Sequence, residues 1–425
     1  IRFIMYPSGF YRDENGELNV QGIKIDALTA KYGTPLFIYD TGLMKERYEL
    51  FLNTVKSVKG NIHYAVKAND SVNIIKFFGK LGAGADIVSI GEFHKCIAAG
   101  ITPDKIIFSG VGKDKNEIET AIRNNILQFN IESEEELNDI YIIASKLRLT
   151  ANICLRINPD IAPDTHKKIS TGEKETKFGI DTEKIISVYK KLHELDYINP
   201  VGLGVHIGSQ IFDFRFFEKA YLNLKNIADS LKINGYKVPT LDLGGGIGIH
   251  YDSNKKPDFV AYKKIISDIF LKSDYQLSFE PGRCLIAEAG VLITKVIRNK
   301  KNKDKNFIII DAAMNNLIRP TLYDAYHKIE TVKNKKGQAI LVDIVGPICE
   351  TGDFIALNRE LVKVISDDLL AIRTTGAYAS VMRSNYNSRV DALEILIFNG
   401  KSYKIKQIDT IQDTILKEKI LDFNS

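Results

Sequence analysis

The sequence predicts an α/β plus all-β protein: a (β/α)₈ barrel and a second, mostly antiparallel β-sandwich or β-barrel domain. Two observations carry this. Between residues 60 and 283, short runs rich in β-branched residues alternate with longer stretches of helical pattern. After Arg283 the helical stretches stop and the strand-like runs continue. Strands alternating with helices imply parallel βαβ units. Eight such units in about 225 residues match a closed barrel. An open doubly wound sheet is the alternative, and it usually shows a phosphate fingerprint after its first strand. Here that strand runs into "AVKAND", with neither G-x-G-x-x-G nor a Walker loop.

In chain order, the strand candidates are "NIHYAVK" (61–67), "ADIVS" (85–89), "KIIFSG" (105–110), "LQFNIES" (127–133), "ANICLRINP" (151–159), "VGLGVHIGS" (201–209), "TLDLGGG" (240–246) and "YQLSFEPG" (275–282). Helical patterns between them include "SVNIIKFFGKLG", "SEEELNDIYIIASKL" and "DTEKIISVYKKLHEL". The second opens with a capping signal, Ser133 followed three residues later by Glu136. The polar loop "DIAPDTHKKISTGEKETKFGI" follows the fifth strand. Long loops in compact domains are often functional, so a lid or substrate-facing role is expected for residues 161–180. Beyond Arg283, "VLITKVIRNKKNKDKNFIIIDAAMN" reads as a hairpin, and "QAILVDIVGPICETGDFIA", "DLLAIRTTGAYASV" and "ALEILIFNGKSYKIKQI" as further strands. The N-terminal "GELNVQGIKI" also carries strand and turn signals. Residues 1–34 are therefore expected to pack with the β domain, 35–283 to form the barrel and 284–425 the β domain.

Composition narrows the function classes. Hydrophobic residues at 44% and charged residues at 26% are ordinary for a soluble globular chain. A formal charge of +5 from 58 basic and 53 acidic residues leaves no domain-wide basic face for nucleic acid. The densest basic run, "RNKKNKDKN" (298–306), reads as a solvated hairpin tip. Cysteines at 96, 154, 284 and 349 form no CxxC pair, so neither a zinc ribbon nor a disulfide framework is suggested, and no metal site is expected. No stretch reaches the roughly 18 apolar residues of a membrane helix, and the N-terminal apolar run is too short for a signal peptide. A cytoplasmic location is expected. Met5 is the expected natural start, with Ile1–Ile4 foreign to the native chain.

In such a barrel, functional residues stand at the C-terminal ends of the strands. Strand one ends in Lys67 and strand two carries Asp86. Strand six ends in His206 and Ser209, strand seven in Gly244, Gly245 and Gly246, strand eight in Glu280, Gly282 and Arg283. Each has a bland reading taken alone. A strand-end lysine is usually solvated, a lone histidine usually a satisfied one, and glycines mark tight turns. Together they have one chemical interpretation. A lysine amine forms a Schiff base with an aldehyde cofactor. Pyridoxal phosphate needs that amine, a charged partner near its ring nitrogen and a phosphate cradle of backbone N–H groups. Lys67 supplies the amine and Glu280 the partner. The Gly244–Gly246 turn with Ser209 supplies the cradle, and His206 covers the ring.

The runs "YAVKAN", "HIGSQ", "LGGGIG", "EPGR", "RPTLYDAYH", "GPICETGD" and "GAYAS" together resemble the diaminopimelate decarboxylases, pyridoxal-phosphate enzymes of the alanine-racemase-fold group. The resemblance runs from about Tyr64 to Ser380 in order and spacing. One departure is "CETGD" where "CESGD" is usual; both side chains carry a hydroxyl.

The resemblance implies the roles that follow. Lys67 carries the cofactor, and meso-diaminopimelate replaces it, loses carbon dioxide and gives L-lysine, the last step of bacterial lysine biosynthesis. Cys349 resembles the general acid, a role that suits a thiol protonated near neutral pH. Arg283, Arg319 and Tyr323 resemble the residues that hold the distal carboxylate, as a planar guanidinium does in bidentate fashion. Glu350 takes the distal ammonium, and Tyr378 reaches cofactor or substrate. In the family, Cys349 and Glu350 come from the second subunit, so a homodimer with shared active sites is expected.

Two rivals stay open at this point. A sister decarboxylase of ornithine, arginine or carboxynorspermidine would share Lys67, His206, the glycine turn and Glu280; Arg319, Tyr323 and Glu350 argue against it, because they suit a substrate with both carboxylate and ammonium at its far end. Against a non-catalytic cofactor carrier or antizyme-inhibitor-like homologue stand the β domain with its Cys349 and the intact Lys67.

Overall fold

The computed structural model describes residues 6–161, 163, 171–172, 176–253, 256–303 and 305–423. The chain divides into two compact units, one of residues 45–250 and 254–285, the other of residues 1–44, 251–253 and 286–425.

The first unit is a closed barrel of eight parallel strands: β1 (Gly60–Ala65), β2 (Gly84–Ile87), β3 (Ile106–Phe108), β4 (Gln128–Ile131), β5 (Ala151–Asn158), β6 (Ile198–Val205), β7 (Thr240–Asp242) and β8 (Gln276–Phe279). Closure comes from β8 on β1, with Leu277 opposite Gly60 and Phe279 opposite Ile62. β2, β3 and β4 are buried at every position, as expected of parallel strands covered on both faces. Helices fill the crossovers, among them Val72–Lys80, Glu134–Leu147 and Ile185–His193. Ser133 caps the second of these, its hydroxyl accepting the Glu136 amide. Glu136 reaches back one residue further than a capping box would, accepting the Glu132 amide at 2.9 Å.

The second unit is built on a mostly antiparallel sheet. Its longest strand, Gly290–Asn302, forms the expected hairpin with Lys305–Ile310 and also pairs with Leu369–Ile372. Ala339–Val345 and Phe354–Val362 extend it on one side. On the other stands Leu36–Asp40, antiparallel to Gly290–Asn302 and parallel to Leu393–Phe398. This strand, "LFIYD", was not among the strand candidates. It is buried at all five positions. Its Leu36 and Ile38 join Val20, Ile25, Val291, Ile293, Ile395 and Ile397 in one core. Residues 298–302 are exposed at the hairpin end, consistent with a solvated tip. Residues 162, 164–170 and 173–175 of the loop expected to act as a lid lie outside the described residues, as do residues 1–5 with the expected start at Met5. Among the described residues no helix is long and apolar enough to cross a membrane.

Candidate active site

The barrel's C-terminal end gathers most of the residues singled out in the first unit. β1 stops at Ala65, two residues short of expectation, and Val66–Ala68 form a 3₁₀ turn. The cause is packing: the Ala65 amide donates to the Pro281 carbonyl, and a Cβ on Gly282 would lie 3.0 Å from the Cβ atoms of both Ala65 and Ala68. Gly282 therefore lets the turn carrying Lys67 close onto the end of β8. From this turn Lys67 Nζ donates to Asp86 Oδ2 at 2.6 Å. The lysine side chain keeps 33% of its surface exposed while Asp86 has none. Asp86 Oδ1 is buried without a hydrogen-bond partner, which is costly for a carboxylate oxygen.

Glu280 stands just beyond β8, fully within the barrel mouth. Asn130 Nδ2, on β4, reaches Glu280 Oε1 at 3.1 Å, Asp242 Oδ2 at 3.0 Å and Ser109 Oγ at 3.1 Å. Gln128 donates to Asn130 Oδ1 and fixes the amide's orientation. Burial pushes the Glu280 carboxyl well above the usual range, and the neighbouring Asp242 and Asp86 push the same way against Lys67. Burial also raises Asp242, opposed by Asn130. Two carboxyls this close in a low-dielectric site disfavour ionising together, and of the two Glu280 is pushed up the more strongly.

His206 follows β6. Its Nδ1 accepts the Gly245 amide at 3.1 Å, and its carbonyl accepts from Arg156 Nη2 and Thr171 Oγ1. Burial, then Arg156 and Lys67, push its pKa well below the ordinary histidine value, so the ring is neutral. The glycine turn is needed for close approach: a Cβ on Gly245 would meet the Glu280 carbonyl at 2.2 Å, and one on Gly244 the Val205 carbonyl at 2.5 Å. Gly246 has φ +108. The cradle reading changes in detail here. The Gly244 amide is taken by Asp242 Oδ1 and the Gly245 amide by His206, so of the three only the Gly246 amide makes no hydrogen bond to the described residues. Arg283, buried, donates through Nη2 to Ser209 Oγ at 3.0 Å. Ser209 Oγ accepts there, so its own proton is directed elsewhere.

Lys67, Asn130, Arg156, His206, Asp242 and Glu280 line one cavity. Asn130 and Asp242 were not singled out from the sequence, and Arg156 stood only as part of the strand-five end "RINPD". The available signal was a polar residue inside an otherwise buried strand, as in "QFNI" and "TLD". Arg156 pairs with Glu132 at 2.7 Å, a bond between neighbouring strands that spacing does not reveal.

The second unit carries the other residues. Arg319 and Tyr323 begin and end the short helix Arg319–Tyr323, and Arg319 is buried. Cys349 and Glu350 are exposed on the turn between Ala339–Val345 and Phe354–Val362. Asp353 builds that turn: its carboxylate accepts the Met314 and Ile348 amides, each at 2.6 Å. The Cys349 amide donates to Asn387 Oδ1. Thr321 Oγ1 donates to the Gly352 carbonyl at 2.6 Å, tying the Arg319 helix to the Cys349 turn. Tyr378 has φ +54, unusual for a non-glycine residue.

The donor set in the barrel fits pyridoxal phosphate. It offers a partly exposed amine, an orphaned buried carboxylate oxygen beside it, a buried acidic side chain to face a ring nitrogen, a neutral imidazole and a guanidinium–hydroxyl pair suited to an anion.

Comparison with known proteins agrees. The family described as "Pyridoxal-dependent decarboxylase, pyridoxal binding domain" matches residues 41–287. A protein named diaminopimelate decarboxylase from Zymomonas mobilis is 43% identical over 415 residues, covering 96% of this chain and 98% of that protein. One of the same name from Aquifex aeolicus is 42% identical over 398 residues, covering 93% of this chain and 94% of that protein. A solved structure of diaminopimelate decarboxylase from Helicobacter pylori, complexed with L-lysine, matches with a TM-score of 0.88 at 38% identity, covering 91% of this chain and 97% of that one.

Proposed function

The chain belongs to the diaminopimelate decarboxylases among the pyridoxal-dependent decarboxylases, and on that premise we propose that it converts meso-2,6-diaminopimelate to L-lysine and carbon dioxide. The observation that carries the reading is the convergence of Lys67, Asp86, His206 and Glu280 at one end of the barrel. Bound pyridoxal phosphate supplies an aldehyde for an amine and a ring that accepts the electron pair left behind by carbon dioxide.

The chain's own residues do the rest. Lys67 would hold the cofactor through its aldehyde, with Asp86 keeping the amine in place. Glu280 holds a proton at the ring nitrogen. His206, fixed by the Gly245 amide, would cover one face of the cofactor ring. Ser209 and Gly246 donate to the phosphate. Arg283, Arg319 and Tyr323 grip the distal carboxylate and Glu350 the distal ammonium, while Tyr378 reaches cofactor or substrate. Cys349 delivers a proton to the carbon that lost its carboxylate. Gly244 and Gly245 serve by allowing close approach. Cys349 and Glu350 act on the partner subunit's site in a homodimer. The enzyme works in the cytoplasm, where no disulfide is asked of its four cysteines.

The test is carbon dioxide release from meso-diaminopimelate, ornithine, arginine and carboxynorspermidine, by wild type and Lys67→Ala. Release from meso-diaminopimelate alone, abolished in the variant, supports the reading. Release from another amine overturns the roles of Arg319, Tyr323 and Glu350. No release from any of them overturns the enzymatic reading itself.

A further inference from the structure

His327 is the last residue of the run "RPTLYDAYH" and has no part in the chemistry proposed for the site. It has no exposed surface. Its ring is held at both nitrogens. Nδ1 lies 2.9 Å from the Arg373 carbonyl, and Nε2 lies 2.8 Å from Arg319 Nη1. A carbonyl can only accept, so Nδ1 carries the proton. A guanidinium can only donate, so Nε2 presents its lone pair. The two contacts together require one tautomer of a neutral imidazole. A protonated ring would set one cationic donor against another.

Arg319 is held on a second side as well. The Tyr251 ring lies 4.4 Å from the guanidinium carbon, stacked as a cation–π pair. The same ring meets His327 edge-on, with centroids 5.0 Å apart and planes at 74°. Tyr251 belongs to the same compact unit as Arg319 and His327. A flexible side chain is thus fixed along one edge by the imidazole and on one face by the phenol. Bidentate pairing with a carboxylate depends on the plane of the guanidinium, so whatever fixes that plane sets carboxylate affinity.

We propose that His327, seconded by Tyr251, is a positioning residue that orients the Arg319 guanidinium and thereby sets the enzyme's affinity for substrates bearing a distal carboxylate. The inference rests on Arg319 being the carboxylate clamp of the proposed function.

The experiment uses the holoenzyme with His327→Leu, His327→Gln, Tyr251→Leu and Arg319→Lys. Each is assayed for kcat and KM on meso-diaminopimelate. Each is also assayed for inhibition by two probes, L-lysine and 1,5-diaminopentane, which differ only in the carboxylate. Loss of a hydrogen bond to a charged group predicts a KM rise of roughly 10- to 100-fold in His327→Leu, with kcat changed far less. Inhibition by L-lysine should weaken in parallel, and inhibition by 1,5-diaminopentane should not. His327→Gln keeps an acceptor for Arg319 and a donor for the Arg373 carbonyl, so it should recover much of the loss. Tyr251→Leu, which leaves the imidazole in place, should show a smaller loss of the same kind and serves if His327→Leu does not fold. Equal weakening of both probes, or no recovery in His327→Gln, would mean a purely structural histidine and overturn the proposal. Unchanged L-lysine inhibition in Arg319→Lys would instead overturn the clamp reading beneath it, and this inference with it.

Discussion

Nδ1 of His206 accepts the backbone amide of Gly245 at 3.1 Å. The ring proton therefore sits on Nε2, and the glycine turn decides how the imidazole is presented. Burial, with Arg156 and Lys67 adding to it, keeps the ring uncharged. His206 should show no titration near the ordinary histidine value. Imidazole nitrogen shifts in ¹⁵N-histidine-labelled protein will report this, and a transition near pH 6.5 at His206 would contradict it.

Gly245→Ala should be severe. The added Cβ meets the Glu280 carbonyl at 2.2 Å, and the backbone on both sides is anchored, with the Glu280 amide on the Gly244 carbonyl. No flexible side chain can yield. A loss of roughly 1–3 kcal/mol or more is expected from such overpacking, together with release of cofactor on gel filtration. Urea unfolding measures the first effect, and cofactor absorbance the second.

Glu92 gives the fold a pH dependence. It lies in the first turn of helix Ile90–Ala99 and accepts the Val88 amide at 2.7 Å. Burial nonetheless pushes its carboxyl up to about 7, with Asp86 and Asp70 assisting and Lys67 opposing. Between the ordinary value and about 7, the folded chain binds more protons at this site than the unfolded one. Stability from this group is therefore present at low pH and is lost as pH rises through that window, by of order 2–3 kcal/mol. Glu92→Gln should flatten this slope. Urea midpoints at pH 5 and 8 for both proteins provide the check, and identical slopes would clear Glu92 of the effect.

Cys349→Ala should lower kcat by roughly 10²–10⁴, the usual contribution of a positioned proton donor. Cofactor loading should not change, because Lys67 and its neighbours lie in the other unit. Stopped-flow absorbance of the cofactor would separate a slowed proton transfer from a failure to bind.

Dilution should abolish activity where sizing shows only monomer. Mixed dimers of Lys67→Ala and Cys349→Ala chains should recover one intact site of two and regain activity that neither parent has. Full activity in a monomeric fraction would refute shared sites.

Much of the barrel was legible because each βαβ unit writes its own local pattern. Lys67, His206 and Glu280 could be read because each follows a recognisable strand. The turn at Val66–Ala68 was not legible, since it is imposed by Gly282, some two hundred residues along the chain. Asn130 and Asp242 were missed for a related reason. A polar residue in a short buried strand gains meaning only from what faces it across the barrel, here Glu280. "LFIYD" was missed because its partners are Gly290–Asn302 and Leu393–Phe398. The phosphate cradle was read too broadly, because glycine spacing does not tell which amides a neighbouring side chain will claim.

The position of Leu36–Asp40 bears on how the chain is made. This interior strand of the sheet leaves the ribosome well before either of its neighbours, Gly290–Asn302 and Leu393–Phe398. The whole barrel is synthesised between them and can close as soon as Gln276–Phe279 reaches Gly60–Ala65. Until Gly290–Asn302 emerges, the nascent chain carries an apolar strand with both edges unpaired, the kind of segment that invites association with other chains. A message truncated before Leu393 would release a finished barrel attached to an unfinished sheet.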